Sequence, residues 1–264
     1  MTRRFIGKSM AAAIALGLSA GAQAALVQVN VTVENLAPAN SVRFAPLRVG
    51  FHGGVFDSFD IGAPAAAPIV SIAEGGSGSA WFPAFAAADA GAVLGTAADA
   101  LLPGQSDSAT FVIDPATNPY FTFASMVVPS NDFFVGNDGP QQYRLFGASG
   151  NLLVSAITQR SRDLWDAGSE IHDPAAAAFV GNNDLRADQS SVVALNFAEF
   201  AAYDGMLTAA GYTFQSQLAA DTEIYRISFA VAPVPEPHTY VLMALGLALV
   251  GWAGKRRVTS SATT

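Results

Sequence analysis

The chain predicts an all-β fold, an antiparallel β-sandwich. Short helices fall in the Phe56–Leu102 region, and a hydrophobic helix stands near the C-terminus. Three observations predict it. Short apolar segments with a period of two, such as Leu26–Val33 and Glu223–Val231, have the signature of half-buried strands. Such segments recur at regular spacing, separated by Gly, Pro, Asn and Asp. Finally, 51% of the residues are apolar and only 13% charged, enough to build a large core and too apolar for disorder.

Met1–Ala24 reads as a secretory signal peptide. Arg3, Arg4 and Lys8 open it, Met10–Leu18 is the apolar run, and Ala22-Gln23-Ala24 fits small-residue cleavage. The sandwich domain is expected over residues 25–232. In its first strand Val27, Val29, Val31 and Val33 point one way, and Gln28, Asn30 and Thr32 the other. Val42–Phe51 is a second strand interrupted by Pro46, which suggests an edge or a bulge. Phe56–Leu102 is rich in Ala and Gly, with one or two short helices expected in Trp81–Leu102. Ser108–Ile113 is a short strand. Tyr120–Val128 is the most apolar segment and should lie centrally, stopped by Pro129. Gln142–Phe146 and Leu152–Gln159 flank a Gly147–Gly150 turn, and Gly181–Ser190 is a polar, exposed stretch. Glu223–Val231 closes the domain, and Ala232–Pro237 reads as an extended Pro-rich linker.

Charge is distributed unevenly. Six of the 13 basic residues sit at the two ends, whereas Glu34–Glu236 holds seven arginines against 21 acids, a formal charge of −14. This surface excludes a nucleic-acid partner, which needs a basic patch. The absence of cysteine excludes disulfides, thiolate metal sites and a thiol nucleophile. His52, His172 and His238 lie far apart in sequence, and there is no phosphate-binding loop, nucleophile elbow or EF-hand spacing. The chain reads as non-enzymatic.

Two acidic turns carry the candidate chemistry. Asn131, Asp132, Asn137 and Asp138 follow the central strand; Asp163, Asp166, Glu170 and Asp173 surround Gly168. Calcium takes six to eight oxygens from such carboxylates and turn carbonyls, and a cation relieves the repulsion between neighbouring acids. Asp, Asn and Gly also form turns for purely local reasons, and spacing alone leaves both readings open. The strings SMVVPSNDFFVG and WDAGSEIHD resemble the two signature segments of the spondin N-terminal domain family. That resemblance spans most of Leu26–Ala232. It implies a C2-like sandwich with calcium held by loops at one end, and it carries the calcium-binding acids onto Asp132, Asp166 and Glu170. Glu170 departs from the family pattern, where Asp is frequent. The function implied is an exported, calcium-binding adhesion or matrix module. The alternatives are a secreted glycan- or lipid-binding module, or a carbohydrate-active hydrolase using the same acids.

The remaining segment, residues 233–264, has three parts in fixed order: Pro235-Glu236-Pro237, an uncharged run from Thr239 to Gly254, and Lys255-Arg256-Arg257. The run is short for a bilayer span, which takes about 17–25 residues; the basic cluster would stay cytoplasmic. This order resembles the PEP-CTERM sorting signal. It implies transient membrane anchoring, an exosortase-type processing partner, cleavage near Pro235–Pro237, and delivery to the cell surface or its polysaccharide matrix.

Overall fold

A computed structural model describes residues 26–234 together with Ala244, Gly246 and Leu247. The expected signal peptide, the Pro235-Glu236-Pro237 tripeptide and the basic cluster lie outside the described residues, as does most of the expected C-terminal helix. Among the described residues no helix is long and apolar enough to cross a membrane.

Among the described residues eleven strands form two antiparallel sheets. The smaller sheet has the order β5 (Ser106–Ile113), β1 (Val27–Asn35), β11 (Glu223–Pro233), β8 (Ala156–Arg160). The larger runs β10 (Ala194–Leu195), β9 (Trp165–Asp166), β7 (Phe133–Gly136), β6 (Tyr120–Val128), β3 (Leu47–His52), β4 (Val93–Ala98), with β2 (Arg43–Phe44) also paired to β6. The valines of β1 that share one face, Val29, Val31 and Val33, are fully buried between the sheets. They meet Phe111, Ile227 and Phe229 of their own sheet and Val49, Phe51, Phe121 and Phe123 of the other. The Phe121 and Phe229 rings stand edge to face across the gap, 5.0 Å apart.

The larger sheet is also covered on its second face. There α1 (Ala67–Gly75) and α2 (Trp81–Ala88) lay Ile69, Ile72, Trp81 and Phe85 against Ala124 and Phe134. Layer order is therefore sheet, sheet, helices. This explains why β6 is buried along almost its whole length, and why it reads as a mostly apolar run, broken at Thr122 and Ser125, rather than an alternating one.

Several expectations are corrected. Pro46 does more than interrupt the second strand: β2 and β3 are separate elements flanking it. Both helices lie within Phe56–Leu102, as expected; what differs is that Trp81–Leu102 holds one of them and then strand β4. Of Gln142–Phe146 and Leu152–Gln159, only Ala156 onward is a strand; Arg144, Phe146 and Leu152 form isolated bridges. β11 runs to Pro233, so Ala232 and Pro233 belong to the sheet rather than to a linker. They continue as strand because β1 extends far enough to pair with them.

The register fixes two ends. At one, the Asn35 backbone N–H donates to Gln105 O, its side-chain amide donates to Val42 O and Leu101 O, and Phe44 pairs with Val127. At the other, Val27 lies opposite both Ile113 and Pro233. β6 runs from the second end toward the first, so Asp132, just past its close, stands at the end opposite Leu26 and Val234.

Candidate functional site

The acidic end is built on the hydrogen-bonded strands β7 and β9, which set Phe133 opposite Asp166. Asp132 directly precedes β7 and is only 2% exposed. Its backbone carbonyl accepts from Ala167 N at 3.1 Å. Its Oδ2 accepts from Ser169 N at 2.6 Å, Ser169 Oγ at 3.1 Å and Glu170 N at 3.0 Å. Asp132 therefore caps the loop that carries the other two candidate acids. Burial raises its pKa, offset by these donors.

Asp166 closes an Asx turn, Oδ1 accepting from Gly168 N at 2.7 Å. Gly168 sits at φ +65°, and a Cβ there would meet Ser191 Cβ and Val192 O at 2.9 Å each, so the turn requires glycine. Burial pushes the Asp166 carboxyl up to about 6, followed by the Asp132 charge and then that of Glu199.

Glu170 has its backbone on Asp132, but its side chain faces elsewhere. Arg186 Nη1 lies 3.5 Å from Oε1, and the carboxyl is buried against Glu74 of α1. Both oxygens are buried without a hydrogen bond. Burial first, then Glu74, pushes the group up to about 7 against the opposing pull of Arg186. The three sequence-predicted acids thus share one loop system, with Asp132 at its centre and acting on both others. Asp166 and Glu170 turn toward different neighbours. Among the described residues no group of three or more His, Asp or Glu side chains is placed to hold a metal ion.

The sequence missed Glu199 and Tyr203, which complete the Asp166 side together with His172, Asn131 and Asp173. His172 Nδ1 is 3.0 Å from Glu199 Oε2 and 3.2 Å from the Tyr203 hydroxyl. Asn131 Oδ1 accepts from Asp173 N at 3.1 Å. Glu199 and Tyr203 come from a 3-10 helix, Phe197–Tyr203, held by the buried rings of Phe200 and Tyr203. Only the i, i+3 aromatic spacing signals it. Trp165 packs on Phe59 with centroids 5.2 Å apart and donates Nε1–H to Gly136 O at 3.1 Å, in keeping with a core role. Asp57 forms a separate acidic group: burial raises its pKa, and the charges of Asp60 and Asp138 raise it further.

Residues 233–257 match the family model of the PEP-CTERM protein-sorting motif. The PEP-CTERM motif indicates an exported protein sorted to the cell surface by an exosortase. It begins at Pro233, which is still paired within the sheet. No curated protein matches this chain.

Proposed function

We propose that the chain is an exported, non-enzymatic, calcium-binding adhesion or matrix module of a bacterial cell surface or exopolysaccharide layer. Its central domain is a spondin-type sandwich. Asp132 and Asp166 hold the cation, and turn carbonyls and waters fill most of the shell. Glu170 joins by turning away from Glu74, whose carboxylate it faces. Calcium then fixes the loops as a surface for a polysaccharide or surface-protein partner.

The observation that supports this reading is the placement of Asp132 and Asp166 beside each other, the first buried and the second half-buried, with the charge of one raising the proton affinity of the other. Two like charges in a poorly solvated setting are held against their own repulsion, and a divalent cation reverses its sign. The opposed ends of the sandwich support it as well, because a tail engaged at the membrane leaves the acidic loops facing outward.

Calorimetry with calcium on residues 25–234 tests it. Binding is expected with a Kd on the order of 10⁻⁴–10⁻³ M, the range of extracellular modules. Affinity rises from pH 5 to pH 8, because the cation displaces protons from groups titrating at about 6 and about 7. No heat up to about 10 mM, or an isotherm unchanged in Asp166→Ala, removes the site.

A further inference from the structure

The sorting motif is attached to the sheet without a spacer. Pro233, its first matched residue, lies opposite Val27, and Val234 N donates to Leu26 O at 3.2 Å. That bond makes Leu26/Val234 a hydrogen-bonded pair. By alternation Val27/Pro233 and Val29/Val231 are non-hydrogen-bonded pairs. Proline's missing N–H therefore costs the ladder nothing at 233. The Pro235-Glu236-Pro237 tripeptide begins one residue after the last ladder bond. Proteolysis next to a folded element proceeds through local opening of that element.

The end of β11 is disposed to open. β8 pairs only with Glu223–Ser228, and the last bond on that side is Phe229 N to Ser155 O at 2.9 Å. Beyond it Ala230–Pro233 are exposed and, among the described residues, paired with β1 alone. A shallow uncharged groove lined by Gln28, Asn30, Thr110, Ala230, Val231 and Ala232 runs beside them.

We propose that Ala230–Val234 is part of the segment the exosortase engages. The strand end peels from β1 and enters the enzyme as an extended peptide, so the Leu26/Val234, Gln28/Ala232 and Asn30/Ala230 rungs all open before the chain is cut. The inference rests on the sorting motif and is independent of calcium.

A staple tests it. Val29→Cys with Val231→Cys joins a non-hydrogen-bonded pair, where closely spaced Cα atoms suit a disulfide; the chain has no other cysteine. The full chain is expressed in a host carrying a matching exosortase, and conversion to the shortened form is followed by intact mass. The oxidised double variant should convert at least about tenfold more slowly than either single variant, because opening is blocked. A Gly-Ser insertion of about four residues after Val234, long enough to supply a free strand, should restore conversion in the stapled chain and accelerate it in the unstapled one. Wild-type rates in the stapled chain, or an insertion that fails to accelerate the unstapled chain, overturn the proposal. An unmodified chain that is never shortened overturns it together with its assignment to sorting.

Discussion

Asp132 and Asp166 are neighbours with opposite effects on stability. Asp132 satisfies three donors from Ser169 and Glu170. Asp132→Ala strands them in a buried loop, and urea denaturation should show a loss of about 2–5 kcal/mol at neutral pH. Asp166 satisfies one turn N–H but is held at about 6 by burial and by Asp132. A carboxyl with a raised folded pKa takes up its proton more readily when folded. Its contribution is therefore favourable below the unfolded value near 3.8 and is lost as pH rises through about 6. Asp166→Asn removes that loss. It should be about 1–2 kcal/mol more stable than the parent at pH 8 without calcium, and no more stable at pH 4. His52 acts in the opposite sense. Burial holds it near 4, so its contribution falls as pH drops from 6.5, in variant and parent alike, and cancels in the comparison. A parent and an Asp166→Asn variant equally stable at pH 8 would show that the two carboxylates do not repel. The loop acids were legible in sequence because Asp and Asn cluster where strands end. Glu199 and Tyr203 were not, because they reach the site through the packing of a 3-10 helix that carries no polar pattern. The side-chain direction of Glu170, toward α1, was not legible for the same reason: the helix that meets it is distant in sequence.

Strands were legible where a single face is buried or where the run is mostly apolar. β1 announces itself by alternation, and β6 by continuous burial between two layers. β4 did not, because Val93-Leu-Gly-Thr-Ala-Ala has neither pattern and its pairing with β3 decides its conformation. Gly95 within it is required by space, since a Cβ there would lie 2.7 Å from the Phe111 ring. β7, only four residues long and fully buried, is masked in sequence by the polar turns on both sides. The placement of α1 also depends on contacts far along the chain. Arg48 on β3 donates from Nη2 to Gly76 O at 3.1 Å, beyond the last turn of α1, and from Nη1 to Thr96 Oγ1 at 2.6 Å on β4. Gly76 adopts φ +60° to end the helix, where the carbonyl would otherwise lack a partner. Arg48→Met keeps the buried stem and removes both bonds. The expected cost is about 1–3 kcal/mol in urea denaturation. Amide exchange should accelerate in Ala67–Gly76 while the β1–β11 ladder keeps its protection. Equal acceleration in both places would mean that the guanidinium supports the whole sandwich rather than the helix.

At the scale of the molecule, a strongly acidic domain carries its candidate cation site at one end and its sorting tail at the other. Net charge of one sign destabilises a compact state through self-repulsion, and monovalent salt screens it. Raising sodium chloride from about 0.01 M to 0.15 M shortens the Debye length from about 30 Å to 8 Å. For a domain of this size a gain of about 1 kcal/mol raises Tm by about 2–4 °C. Screening of this kind depends on ionic strength alone, so calcium chloride at matched ionic strength gives the same increment wherever no site exists. A bound cation adds a second increment that saturates with concentration, and it depends on Asp132 and Asp166. The expected melting series has both. Sodium raises Tm in the parent and in an Asp132→Asn/Asp166→Asn double variant, and calcium raises it further in the parent alone. Coincident sodium and calcium curves in the parent would assign these acids to loop structure and solubility, and would remove the cation site.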